Sequence, residues 1–364
     1  MKAEKPISRR TLLECLTRTS LGIAVGAAPF QRQTLYAGNG RTQPDQRLVE
    51  PSQSDEKKFV PVMITPFDSH LKIDFDRLSM LIDFYLKAGA KGFFANCLSS
   101  EMYLLTNQER IDLTRHVVKH VGRKAAVVST GSFGDTLEEK ADFAKKIYDT
   151  GARGVILISS HFALANESDA VLEKNFERFL SLTNDIKVGT YECPVPYKRL
   201  LAPDVFRSLV SDKRLIYHKD TSEDIKNIEA KLALARGTQL EFYNAHTATA
   251  AESLQKGAKG MSPISGNFYP EIHSWLCQYA NDPAKSAEVN WIQAEITRTE
   301  PIISKYYPLS SKYFLKKRGL PLELVCRAKA KSIPPEHLAV LDKTYDVFLG
   351  WCDRLGIKAV NGPQ

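Results

Sequence analysis

Three places in the chain carry residue types that could share one reaction. Lys219 follows four large side chains, Leu215, Ile216, Tyr217 and His218, a brief apolar and aromatic run that reads as a buried strand. The amine stands where that strand surfaces, ahead of Asp220, Thr221 and Ser222, which read as the start of a loop or a helix cap. Tyr191 closes a second such run, and Ser99, Ser100 and Glu101 follow a third. A lysine that has lost water favours its neutral amine, the form that attacks a carbonyl carbon to give a Schiff base. A tyrosine beside it can move protons between amine, substrate oxygen and reacting carbon. Hydroxyls and backbone N–H groups in a loop can hold a carboxylate. The combination suits a 2-oxo acid.

For these side chains to meet, their strands must end on one face of one sheet. Eight short apolar runs are present, at 59–65, 92–96, 125–130, 154–159, 187–191, 215–219, 240–244 and 260–265. Between them lie amphipathic stretches such as "FDRLSMLIDFYLKAG", with apolar positions at Leu78, Leu81, Ile82 and Tyr85, and "LEEKADFAKKIYDTGA", which ends at a glycine. Strands about thirty residues apart, each followed by one helix, imply parallel strands with crossover helices, and eight such units close into an α/β fold of the (β/α)₈ TIM-barrel type. In that fold the C-terminal strand ends share one mouth, where Lys219, Tyr191 and the Ser99 loop converge. A doubly wound sheet is the alternative, weakened because no GxGxxG follows the first strand. The barrel is expected over 58–269, with a C-terminal helical region over 270–364, where the alternation stops.

Composition narrows the chemistry further. Of 364 residues 43% are hydrophobic and 25% charged, enough for a large core. The formal charge is +8, of which residues 1–37 contribute a surplus of four. The remainder is mild and without a basic run, so nucleic acid is not an expected partner. Six cysteines lie scattered without a CxxC, and His116 with His120, the one i, i+4 histidine pair, lacks a third ligand and reads as structural. No metal, nucleotide or other cofactor is expected, since ligand clusters, a P-loop and a dinucleotide fingerprint are all missing.

The first residues carry a different message. Arg9-Arg10, set between Ser8 and Thr11-Leu12-Leu13 and followed by a weakly apolar Gly/Ala stretch to Phe30, resemble a twin-arginine export signal. Residues 1–37 are expected to act as that signal, with cleavage after Ala27, Ala28 or Ala37, and residues 38–57 as a solvated linker. The apolar stretch is broken and short of the roughly 20 residues a membrane span needs, so no stable insertion is expected and the mature chain should be periplasmic.

From Phe59 to about Arg327 the chain resembles the dihydrodipicolinate synthase and N-acetylneuraminate lyase family of pyruvate-dependent class I aldolases. "PVMITPF" (61–67) is similar to the family's first strand, and "CLSSEMYLLTNQER" (97–110) to its Gly-Thr-Thr-Gly-Glu loop and following Glu-Arg. "YECPVP" (191–196) resembles its Tyr-Asn-x-Pro strand end, and "YHKDTS" (217–222) the segment that bears its Schiff-base lysine. The resemblance implies that Lys219 forms the Schiff base, that Tyr191 relays protons and that Ser99 anchors the substrate carboxylate. Ser100 and Ser262 are further substrate-binding candidates. It also implies a homo-oligomer, a dimer or tetramer.

The departures fall in one half of the pattern. Leu98 stands where the first relay hydroxyl is expected, with Cys97 and Ser100 in place of glycines. His161-Phe162 replaces a tyrosine pair, one member of which reaches a neighbouring subunit's site. Pro196 replaces the arginine that holds the aldehyde partner's carboxylate, with Lys198 and Arg199 close enough in sequence to substitute, and "NAHTATA" (244–250) replaces an acidic Gly-Asp segment. The half that handles the 2-oxo acid is thus retained and the half for the second substrate rewritten, which argues against a lysine-biosynthetic synthase. A Schiff-base lyase, aldolase or dehydratase is expected, with a non-catalytic ligand-binding barrel as the alternative that the loss at Leu98 favours.

Overall fold

Eight short runs of branched and aromatic residues form the strands of a (β/α)₈ barrel, seen in a computed structural model that describes residues 56–328 and 332–363. The expected export signal, and the linker through residue 55, lie outside the described residues. The strands are β1 (Lys58–Phe59), β2 (Gly92–Phe94), β3 (Ala126–Thr130), β4 (Gly154–Ile158), β5 (Val188–Tyr191), β6 (Leu215–Asp220), β7 (Glu241–Asn244) and β8 (Gly260–Met261). All pair in parallel in the order β1-β8-β7-β6-β5-β4-β3-β2, and a parallel bridge between Val62 and Phe94 closes the ring. The first and last strands are shorter than their apolar runs because proline has no N–H for the ladder. Pro61 follows β1 and Pro263 follows β8.

Helices α1 (Phe75–Lys87), α2 (Asn107–Val121), α3 (Leu137–Tyr148), α4 (Asp169–Thr183), α5 (Pro203–Ser211), α6 (Ile225–Ala235) and α7 (Ala250–Gln255) cross between consecutive strands. Their starts follow ordinary capping chemistry: Asp74 accepts from the Arg77 N–H, and Thr106 with Glu109 and Thr136 with Glu139 form reciprocal capping boxes. Helix α8 (Pro270–Tyr279), which the sequence reading grouped with the C-terminal region, packs on β1 and β8 and completes the ring. The added layer is α9 (Ser286–Ile303), α10 (Leu309–Lys317) and α11 (Pro335–Leu355).

That layer is continuous with the barrel's own core. Ile292, Ile296, Phe314, Leu341, Phe348 and Trp351 are buried together with Tyr269, Ile272 and Leu276 of the eighth unit. Arg318 is buried between the rings of Phe84 and Phe348, 4.6 and 4.7 Å from their centroids. Its guanidinium pairs with Glu271 and donates to the carbonyls of Phe268 and Val360, so one planar fork joins barrel, added helices and C-terminal tail.

Candidate active site

Tyr191 and Lys219 are directly opposite each other across β5 and β6. Residues in register on adjacent strands point to the same face, so the two side chains enter the barrel together. Lys219 is only 4% exposed. Its Nζ lies 4.5 Å from the centre of the Tyr191 ring and 5.8 Å from that of Phe94, and Phe94 meets Tyr191 edge-on. Burial lowers the Lys219 pKa to about 8, against an opposing pull from Cys97 and Cys193. Roughly one amine in ten is then neutral at pH 7, compared with fewer than one in a thousand for an ordinary lysine. Burial also keeps the Tyr191 phenol protonated, well above its usual range.

The strand alternation that sends Tyr191 and Lys219 inward sends Glu192 and Asp220 outward. Both carboxylates meet the ammonium of Lys231 from α6, which is fully buried and 2.7 Å from Asp220 Oδ2. Glu192 also accepts from the N–H groups of Leu201 and Thr221. Burial opposes ionisation of Asp220, but His218 and Lys231 outweigh it and hold the carboxyl well below its usual range. Among the described residues, Glu192, His218 and Asp220 are the one His/Cys/Asp/Glu cluster close enough to share a cation, and the protein supplies that cation itself as Lys231. Lys231→Met strands two buried carboxylates, for which a loss of about 3–5 kcal/mol is expected. Denaturant midpoints check this: the single variant falls well below wild type, and adding Glu192→Gln with Asp220→Asn recovers much of the loss. An unchanged midpoint for Lys231→Met would contradict this account.

The three serines separate on geometry. Ser99, in the short turn Leu98–Ser100 after β2, is buried with its hydroxyl against that of Tyr307, which accepts at 2.7 Å from Asn267 Nδ2. Ser100 Oγ lies 2.6 Å from the carbonyls of both Met63 and Ala95 and accepts from the Cys97 N–H. Ser262 Oγ donates to Val60 O at 2.7 Å. The last two hydroxyls therefore stitch main chain at the barrel seam, that of Ser262 also meeting the Tyr217 hydroxyl, whereas Ser99 is held by the hydroxyl of Tyr307. Sequence reasoning identifies a hydroxyl's type but not which carbonyl it meets.

The Ser99 loop is braced from far along the chain. Glu101, in the left-handed region at φ 58°, accepts from the Ala328 N–H at 2.7 Å and lies 3.6 Å from the buried Lys312 ammonium. Arg327 forks onto Glu109 and donates to the carbonyls of Leu71 and Leu104. That guanidinium holds the Glu109 carboxyl down at about 2.

The substituted half of the site is rebuilt rather than emptied. Phe162 lies in the chain's own core, stacked 4.4 Å from Phe176 and edge-on to Phe179, not poised to reach another subunit. Its neighbour His161 turns instead to Tyr103, a residue the sequence reading passed over: the tyrosine hydroxyl lies 2.9 Å from His161 Nε2 and 2.6 Å from Val195 O. Of the two cations near Pro196, Arg199 is committed to the carbonyls of Leu164 and Glu167 and to Asp169. Lys198 pairs with Glu223 at 2.8 Å across the loops after β5 and β6. His116 and His120 stack on α2, bonded to Ser79 and Asp83 of α1, away from the strand ends.

With this geometry in hand, similarity to known proteins is informative. The sequence model of the dihydrodipicolinate synthetase family matches residues 55–345. The chain is 23% identical over 263 residues to 4-hydroxy-tetrahydrodipicolinate synthase of Pseudomonas savastanoi, spanning 72% of this chain and 84% of that enzyme. It is 23% identical over 287 residues to the Bacillus subtilis enzyme of the same name, spanning 78% and 93%. Among solved structures, a prophage protein of the dihydrodipicolinic acid synthase family from E. coli K12, in complex with pyruvate, superposes with a TM-score of 0.72 at 20% identity, covering 80% of this chain and 98% of that one. The Acinetobacter baumannii dihydrodipicolinate synthase, also complexed with pyruvate, gives 0.71 at 17% identity, covering 81% and 99%. At these identities the structural likeness establishes the fold. No helix among the described residues is long and apolar enough to cross a membrane.

Proposed function

Because the chain belongs to the dihydrodipicolinate synthetase family, whose members are of the pyruvate-dependent aldolase and lyase type, we propose that it is a Schiff-base lyase or aldolase for pyruvate or a sugar-derived 2-oxo acid. The observation that carries this reading is the in-register pair, a buried Lys219 amine with lowered proton affinity beside a buried, protonated Tyr191. The neutral amine attacks C2, and Tyr191 delivers the proton that lets the former carbonyl oxygen leave as water. The protonated imine then accepts electrons from a breaking bond at C3. Ser99 orients the carboxylate so that C2 faces the amine.

Borohydride reduction tests this directly. Incubated with pyruvate and a panel of other 2-oxo acids, the protein should gain the mass of a reduced adduct. Because only the neutral amine reacts, the rate of trapping should rise with pH and level off above about 8, where an ordinary lysine would keep gaining to about 10.4. A protein that gains no mass from any 2-oxo acid is the ligand-binding barrel instead.

We also propose that the chain is exported folded through the twin-arginine route, on the strength of Arg9-Arg10 and the apolar stretch behind them. Replacing both arginines by lysine should leave the protein in the cytoplasm, and undiminished export of that variant would end the proposal.

A further inference from the structure

The rung that joins Tyr191 to Lys219 lies just above a break in register. β4 and β5 pair evenly from Val155 opposite Val188 to Ile158 opposite Tyr191, and β6 and β7 from Tyr217 opposite Glu241 to Asp220 opposite Asn244. Between β5 and β6 the pairing shifts by one: Val188 faces Leu215 but Gly189 faces Tyr217, which leaves Ile216 as the extra residue of a bulge. Ile216 and Tyr217 accordingly both line the cavity at the strand starts, although consecutive residues of a regular strand point to opposite faces. Glycine fits opposite Tyr217 because a Cβ on Gly189 would stand 2.7 Å from that of Tyr217. Had regular pairing run on from Val188, Glu192 and not Tyr191 would face Lys219, and one of the two reacting side chains would point out of the barrel.

Above the bulge, polar groups on the outer face bind the two strands together. In the rung below the reacting pair, Thr190 Oγ1 lies 2.8 Å from His218 Nδ1. In the rung beyond it, the Glu192 N–H donates to the Lys219 carbonyl at 3.3 Å. The Glu192 carboxylate takes three donors: the Leu201 N–H at 2.8 Å, the Thr221 N–H at 3.1 Å and the Lys231 ammonium, which also holds Asp220. The Thr221 hydroxyl returns a bond to the Glu192 carbonyl. Glu192 stands where the Tyr-Asn-x-Pro pattern has asparagine, whose amide has a single oxygen to accept with. We propose that Glu192, with Lys231, is a positioning residue that bolts the β5–β6 seam shut above the bulge and so holds Tyr191 and Lys219 in the rung their chemistry needs. The bolt rests on the Schiff-base reading above and adds to it the residue that keeps its two groups in place. Its value lies in tolerance, since a misplacement of about 1 Å can cost roughly 10²-fold in rate.

The test separates place from charge and from stability. The triple variant Glu192→Gln, Asp220→Asn, Lys231→Met removes the charges of the bolt together and strands none of them. Amide hydrogen exchange without substrate, read by mass spectrometry, reports the seam. Borohydride trapping with pyruvate, taken at the plateau of each protein's pH profile, reports the rung with the amine fully neutral. Peptides covering 188–192 and 217–221 should exchange faster than in wild type while those of β2 and β3 stay as slow, and plateau trapping should be at least about 10-fold slower. Glu192→Gln alone, which keeps Lys231 paired with Asp220, should show both changes in smaller measure. Plateau trapping at the wild-type rate in the triple variant overturns the proposal and leaves the cluster a purely structural one, and so does slow trapping without faster exchange at the seam. A rate that is low at pH 7 but normal at the plateau overturns it too, because the cluster then sets the charge of the amine and not its place. No adduct in the wild type overturns the Schiff-base reading and the catalytic purpose of the bolt with it, whereas the exchange data still decide whether the seam is bolted. Should the triple variant fail to fold, as judged by thermal melting, Glu192→Gln decides the matter by the same two readouts.

Discussion

Lys219→Met should gain no mass from pyruvate and borohydride and lose turnover below detection, while its denaturant midpoint at pH 7 should stay at or above that of wild type. The first part follows because, among the described residues, no other buried lysine lies against Tyr191: Lys140, Lys231 and Lys312 are each held by carboxylates or carbonyls elsewhere. The second follows from linkage. The Lys219 pKa is near 10.5 unfolded and about 8 folded, so the unfolded chain binds more protons between those values and wild-type stability rises with pH through that window. Below about 8 the folded protein carries the full cost of a buried ammonium. Methionine fills similar volume and removes that cost. A variant that still forms the adduct shows that another amine does the chemistry. A variant that is strongly destabilised at pH 7 shows that the buried amine is not the burden its surroundings imply.

Tyr191→Phe should lower turnover by about 10²-fold to 10⁴-fold, the range for one positioned proton-transfer group. Substrate binding should change far less, because the ring contacts with Phe94 and with the Lys219 amine survive the loss of one oxygen. The split between a collapsed kcat and a nearly constant dissociation constant is the diagnostic result, read from single-turnover kinetics and equilibrium titration. Equal losses in both would make the hydroxyl a binding group. No loss in kcat would remove Tyr191 from the proton path.

The barrel and its central pair were legible because both rest on local patterns. Apolar runs give strands, their spacing gives the crossover helices, and the last residue of a run marks the mouth, which is how Lys219 and Tyr191 stood out. The Glu192, Asp220 and Lys231 cluster was half legible: an acid follows each candidate residue, and strand alternation turns both outward, but the lysine that joins them lies on another element. Ser100 and Ser262 were chosen for their hydroxyls, and the fold spends those hydroxyls on carbonyls at the seam. Tyr103 and His161 come from the loops after β2 and β4, and only closure of the ring brings them together. Tyr307 was out of reach for the same reason, since it arrives from the added helical layer to meet Ser99.

The bracing of the Ser99 loop has a consequence for the order in which the pocket matures. Ribosomal synthesis delivers the chain from its N-terminus, so β5 and β6, with Tyr191 and Lys219, are complete well before Tyr307, Lys312, Arg327 and Ala328 emerge. Those late residues hold Ser99, Glu101 and Glu109, more than 200 positions earlier. Closing so long a loop carries an entropy that grows only slowly with length, so the brace is affordable once the chain is whole but cannot form before. The nascent protein therefore carries the Lys219 amine ahead of the loop that, on the proposed reading, would orient a carboxylate towards it. On the proposed Schiff-base reading, competence for 2-oxo acids would arrive last, as a property of the finished chain.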